Sequence, residues 1–213
     1  MNMIHEILPV GLLQCNCSIF GDESSREAIV VDPGDEIQRI TGVLDKHGLR
    51  VKAIVVTHAH IDHVAGAAKL RALTGAPVYL NENDRELLGA LDIQARWLGL
   101  SKAPPATPID VPANEGTTLE LGEARFDFIH TPGHTQGSLC LFIPQESKLV
   151  AGDTLFRRSV GRTDLPGGDT EKLLDSVKSK LFELPDSTLV IPGHGPNTTI
   201  GEEREQNPFL QGV

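Results

Sequence analysis

The sequence predicts a mixed α/β fold in which two sheets pack together with helices outside. Three observations lead there. Apolar strand-like runs and amphipathic helical repeats are interspersed in both halves, and neither half simply alternates one sheet with helices. The chain has 213 residues, 39% of them hydrophobic, which suits one compact domain over 1–213. Polar residues of metal-binding type gather where the apolar runs stop.

Taken in order, "IHEILPV" (4–10) and "CSIFGD" (17–22) are short strand candidates, and "AIVVDPG" (28–34) is a buried strand ended by Pro33 and Gly34. Ile37, Ile40, Val43 and Leu44 then recur at helical spacing until Gly48 stops the helix. "VKAIVV" (51–56) is a second buried strand, and "HVAGAAKLRALTG" (63–75) reads as the helix leaving it. "APVYLN" (76–81) is a strand, and "NDRELLGALDIQARWLG" (83–99) is a helix with Asn83 or Asp84 as its cap. Residues 101–116, rich in Pro, Ala and small polar residues, read as a linker crossing the surface and not as a domain boundary, since no break in charge or composition follows. Strands follow at "TTLEL" (117–121), "ARFDFIHT" (124–131), "SLCLFIP" (138–144) and "KLVAGD" (148–153), then a long loop. The helix "TEKLLDSVKSKLFEL" (170–184) carries Leu173, Leu174, Val177 and Leu181 on one face, and "STLVIPG" (187–193) is a last strand before a short tail.

Charge narrows the partners. The formal net charge is −10 and there is no basic stripe or arm, which excludes a phosphate-backbone binder. No apolar run approaches the roughly 20 residues that span a bilayer. The start, "MNMIHEILPVGLLQCNC", lacks a basic region and is interrupted by Glu6, so it reads as a strand and not a signal peptide. The cysteines are Cys15, Cys17 and Cys140, an odd count that points to reduced thiols in the cytoplasm. Cys15 and Cys17 share a face of an extended segment. A C-x-C pair can ligate a metal, but without further nearby ligands it reads as two buried, inert thiols.

Four strand ends carry chemistry. The first is "THAHIDH" (57–63), with His58, His60, Asp62 and His63; the others are "HTPGHTQGS" with His134, "VAGDTLF" with Asp153 and "VIPGHGP" with His194. Loops at the ends of rigid strands are where sites tend to sit. A polar loop is the alternative for any one of these, yet four ligand-type residues in six positions after a buried strand are hard to explain as solvation. Imidazoles and carboxylates without thiolates suit zinc, iron or manganese. Seven such side chains are enough for two ions, which two-metal hydrolases hold about 3.5–4 Å apart. Asp153 is the natural bridge, since a carboxylate offers two oxygens. His5 and His47 read as ordinary residues, and His130 as structural or supporting.

The set "THAHIDH", "TPGHTQGS", "AGDTLF" and "IPGHG", in that order and over essentially the whole chain, resembles the metallo-β-lactamase fold superfamily. "GRTDLPGGD" (161–169) and "PGHGPNTTIGEEREQNPFL" (192–210) are similar to the short, single-domain glyoxalase II-like hydrolases of bacteria. The resemblance implies an αββα four-layer sandwich with the site at one edge. It implies one metal on His58, His60 and His134, a second on Asp62, His63 and His194, Asp153 bridging, and Asp32 supporting a ligand from behind. It implies a hydroxide bridging the two ions, which attacks a thioester carbonyl and releases a thiolate, with Asp62 orienting the nucleophile. The expected substrate is S-lactoylglutathione or a related anionic acyl thiol. Glyoxalase II enzymes also carry a C-terminal helical domain that holds glutathione; only 19 residues follow His194, so none is expected here. Arg157, Arg158 and Arg162 in "FRRSVGR" are the candidates to grip an anionic substrate in its place, although Arg162 has Asp164 and Asp169 as structural partners nearby. "GRTD" also resembles persulfide dioxygenases of the same superfamily, whose single iron would sit on His58, His134 and Asp153. A metal-binding protein without catalysis is the third reading.

Overall fold

The computed structural model describes residues 3–211, so the four terminal residues of the expected domain lie outside it. Two compact units emerge. The first runs to Ala113 and takes in Leu121–Glu123; the second comprises Asn114–Glu120 and the described chain from Ala124 onward.

The first unit is built on a six-stranded sheet in sequential order: β1 (Met3–Val10), β2 (Cys15–Asp22), β3 (Glu27–Val31), β4 (Arg50–Val55), β5 (Val78–Leu80) and β6 (Val111–Pro112). The first two form a hairpin in which Met3 faces Asp22 and Val10 faces Cys15. From β3 onward the pairing is parallel. Parallel strands are covered on both faces, and Val30, Val31, Ile54 and Val55 are fully buried, as continuous apolar runs should be. Helix α1 (Ile37–His47) buries Ile37, Ile40 and Leu44 against this sheet and ends at Gly48, the expected stop.

Four expectations need correction in this unit. The helix expected over 63–75 is two helices, α2 (Ile61–Val64) and α3 (Ala67–Thr74), separated by a turn at Ala65 and Gly66. The helix expected over 83–99 is a 3-10 turn (Glu82–Asp84) followed by α4 (Arg85–Gly89) and α5 (Leu91–Trp97). The capping side chain is Asn81, which accepts the Asn83 N–H at 2.9 Å; Asp84 is used elsewhere. The segment 101–116 does not stay on the surface throughout, because β6 pairs with β5 and Asn81 donates to the Ala113 carbonyl at 2.8 Å.

The second unit carries a sheet in the order β14-β13-β10-β9-β8-β7. Its strands are β7 (Thr118–Leu121), β8 (Ala124–His130), β9 (Leu139–Ile143), β10 (Lys148–Gly152), β13 (Leu189–Pro192) and β14 (Thr198–Thr199). In β7 and β8 burial alternates residue by residue, Leu119, Leu121, Phe126 and Phe128 inward and Thr118, Glu120 and Arg125 outward. Helix α6 (Thr170–Ser179) starts at Asp169, whose side chain accepts the Lys172 N–H, and buries Leu173 and Val177. It ends before the expected Leu184, and Leu181 sits in a 3-10 turn.

Two further expectations are corrected here. The long loop after Asp153 contains a hairpin, β11 (Leu155–Phe156) with β12 (Ser159–Val160), and the short tail contains β14 and helix α7 (Ile200–Gln206). No helix among the described residues is long and apolar enough to cross a membrane.

Candidate metal centre

In the first unit the ligand-type residues follow β4 directly. Val55 and Val56 are fully buried, then Thr57 and His58 leave the sheet. Asp32 meets them from the end of β3. It takes a left-handed conformation, φ 52°, and its N–H donates to the Val55 carbonyl at 2.9 Å. Its Oδ1 accepts the Thr57 N–H at 2.7 Å, and its Oδ2 accepts the Thr57 hydroxyl at 2.7 Å. The same Oδ2 lies 2.9 Å from His63 Nδ1. An imidazole that donates from Nδ1 to a carboxylate keeps the Nε2 lone pair for a metal. His63 Nε2 lies 3.6 Å from Asp62 Oδ2.

The rings converge. His58 packs edge-on against His60, centroids 4.8 Å apart, and tilted against His63, centroids 4.1 Å apart. His58 and His60 bring ring nitrogens within 4.8 Å of each other, and Asp62 and His63 bring ligand atoms together within the same limit. Gly34 makes the approach of the β3 turn possible: a β-carbon there would fall 1.7 Å from the Asp62 carbonyl oxygen.

In the second unit His134, Asp153 and His194 follow β8, β10 and β13. His134 Nδ1 donates to the Arg162 carbonyl at 2.7 Å, because a carbonyl can only accept; in the neutral ring that leaves the Nε2 lone pair for a metal. His134 Nε2 lies 3.6 Å from Asp153 Oδ2, and His194 Nε2 lies 3.7 Å from the same oxygen. The Gly193 N–H donates to the Gly152 carbonyl at 2.7 Å, which locks the ends of β13 and β10 together. Gly161 packs where a β-carbon would sit 1.9 Å from the Asp153 carbonyl oxygen and 3.2 Å from His134 Cβ.

The remaining candidates separate. Cys15, Cys17 and Cys140 are buried and free, and burial pushes the Cys15 thiol up to about 12 and Cys140 up to about 11. Cys15 is the exception to that separation and a correction to its expected isolation from other ligands: its Sγ lies 3.5 Å from His63 Nδ1 and groups with Asp32 and His63, whereas Cys17 is buried in the apolar core. His130 donates to the Gln136 carbonyl at 2.9 Å, His5 stacks on Phe20, and His47 pairs with Glu6 at 2.8 Å. Arg162 is committed to Asp164 through two hydrogen bonds of 2.8 Å. Arg158 donates its backbone N–H to Glu203 at 2.8 Å and its guanidinium to Gln206. Arg157, at the tip of the β11–β12 hairpin, is exposed and has no ion-pair partner among the described residues.

A sequence profile described as the metallo-beta-lactamase superfamily matches residues 10–194. The chain belongs to the metallo-β-lactamase superfamily. That membership supports metal-dependent hydrolase chemistry. Among curated relatives, an uncharacterized protein of Aquifex aeolicus is 45% identical, over 97% of each chain. The hydroxyacylglutathione hydrolase GloC of Haemophilus influenzae is 40% identical over 96% of this chain and 97% of that one. Solved structures of the metallo-β-lactamase fold superpose closely. The BLEG-1 B3 metallo-beta-lactamase is 38% identical with a TM-score of 0.90, covering 98% of this chain and all of that one. TTHA1623 in a di-iron-bound form is 41% identical with a TM-score of 0.86, over 96% of this chain and all of that one.

Two residues near the metallo-β-lactamase motif escaped the sequence reading. Asp84 and Gln94 bond to the backbone of the ligand loop from 25 and 33 residues away in sequence. No spacing rule links them to the histidines, and Asp84 in particular looked like a helix cap.

Proposed function

We propose that the chain hydrolyses thioesters with two divalent metal ions, its substrate being S-lactoylglutathione or a related anionic acyl thiol. The supporting observation is the orientation of the imidazoles. His63 and His134 each spend Nδ1 on a neighbour, so that Nε2 faces a carboxylate. A donor set of imidazole Nε2 atoms and carboxylate oxygens fits zinc, with iron and manganese as the other candidates. His58, His60 and His134 would hold one ion, Asp62, His63 and His194 the other, and Asp153 both. Asp32 would hold His63 in place.

When bound, the ions supply Lewis acidity and a water acidic enough to ionise near neutral pH. The chain supplies the rest. Asp62 accepts a hydrogen bond from the attacking water and orients its lone pair toward the acyl carbon. A thiol is a fair leaving group, so no strong general acid is needed to protonate it. Arg157, the one arginine of its loop without a committed partner among the described residues, would meet the anionic end of the substrate. Cytoplasmic location belongs to the same proposal, since three free, buried cysteines suit a reducing compartment.

The GloC relative, matched over nearly the whole of both chains, supports thioester chemistry. One segment favours a second reading. Gly161–Asp164 resembles the persulfide dioxygenases, which would use one iron on His58, His134 and Asp153. A paired assay on the metal-loaded protein separates them. Thiol release from S-lactoylglutathione without oxygen uptake is the expected result. Oxygen uptake with glutathione persulfide and no thioester cleavage would replace the hydrolase reading with the dioxygenase. Neither activity would favour a binding protein.

A further inference from the structure

The ligand motif changes conformation at His60. His60 is itself extended, at φ −71° and ψ 145°, and helix α2 begins directly after it. The His60 carbonyl already accepts the His63 and Val64 N–H groups, at 3.0 and 3.1 Å. His60 therefore projects from extended backbone, whereas Asp62 and His63 project from a helical turn. Any slack in the two peptide units around His60 would swing its ring relative to the others.

One side chain holds both units. Gln94, on α5 and 5% exposed, accepts the Ile61 N–H through Oε1 at 2.8 Å. Its Nε2 donates to the Ala59 carbonyl at 3.3 Å and to the Leu87 carbonyl at 3.0 Å. The amide orientation is forced, because an N–H needs an acceptor and two carbonyls need donors. Asp84 Oδ2 accepts the Ala59 N–H at 2.9 Å and completes the clamp. A residue whose task was only to fill space would not need to be an amide at this position.

We infer that Gln94 is a positioning residue for His60, setting the ring in register for metal binding through the peptide units on either side of it. This rests on the reading of His60 as a metal ligand. Loss of a supporting partner of a metal ligand commonly weakens metal binding by about 10–100-fold.

The test is zinc affinity, measured by competition with a chromophoric chelator, for wild type, Gln94→Met, Gln94→Glu and His60→Ala, alongside the melting temperature of each metal-free protein. His60→Ala is expected to weaken one of the bound ions. Gln94→Met is expected to weaken that same ion by about 10–100-fold. Gln94→Glu, which keeps the acceptor for Ile61 and loses both donors, should fall between, and it decides the matter if Gln94→Met does not fold. Unchanged zinc affinity in both Gln94 variants, with only the metal-free melting temperature lowered, would reduce Gln94 to a structural residue and overturn the inference. Unchanged affinity in His60→Ala would overturn the ligand reading, and the inference with it.

Discussion

Asp153 is the side chain on which most depends. Its Oδ2 stands within 3.7 Å of two imidazole nitrogens, from His134 and His194, which arrive on different strands. Replacing Asp153 with Ala should abolish hydrolysis and lower the bound metal, read by elemental analysis; full activity with an intact metal complement would remove its bridging role. At Asp164 the prediction is electrostatic. The hydrogen bonds from Arg162, and then its own backbone N–H, hold its carboxyl down at about 2 from an ordinary 3.8. Because the folded value is the lower one, the pair's stabilisation is present above pH 3.8 and is lost as pH falls toward 2. Arg162→Ala should return Asp164 to the ordinary carboxylate range in an NMR titration. A value still near 2 would place the cause elsewhere. The grouping of His58, His60 and His63 was legible because the motif places them within six positions of one another. Gln94 and Asp84 were not, because their only link to the motif is a hydrogen bond made after the chain has folded back on itself.

Among elements, the β11–β12 hairpin and helix α7 were the least legible. The hairpin follows Asp153 immediately, and its Phe156 ring lies 6.5 Å from the His194 ring. Its turn places Arg158 in a left-handed conformation, φ 60°, which costs energy for a residue with a side chain. Helix α7 offsets that cost. Glu203, fully buried, accepts the Arg158 N–H at 2.8 Å, the Thr198 hydroxyl at 2.6 Å and the Asn207 amide at 2.8 Å. Asn207 in turn donates to the Ser159 carbonyl at 2.9 Å. Removing Glu203 leaves several buried groups without it, so Glu203→Ala should destabilise the protein by about 1–3 kcal/mol in urea unfolding. A change within about 0.5 kcal/mol, the usual surface value, would mean the hairpin holds itself. Strands of two residues, such as β6, β11 and β14, have no alternation to read, and helices of four to seven residues blur into one periodic stretch. The long apolar strands and α1 were legible because burial imposes a repeat on them, as Ile37, Ile40 and Leu44 show.

At the scale of the whole molecule the fold was readable from the order of four motifs, and superfamily membership followed from a match over residues 10–194. The substrate was less readable, because specificity depends on how loops and side chains are held. All three arginines of the cluster are exposed, but Arg158 and Arg162 have partners within the chain, which leaves Arg157. The central claim is that the histidines and aspartates serve two ions, and that thioester cleavage needs both. It is tested most directly by adding zinc in steps to metal-free protein while following thiol release from S-lactoylglutathione. The account predicts a rate that climbs to a plateau only at about two equivalents per chain, as a two-metal site requires. A plateau at one equivalent, or no cleavage at any loading, would contradict it.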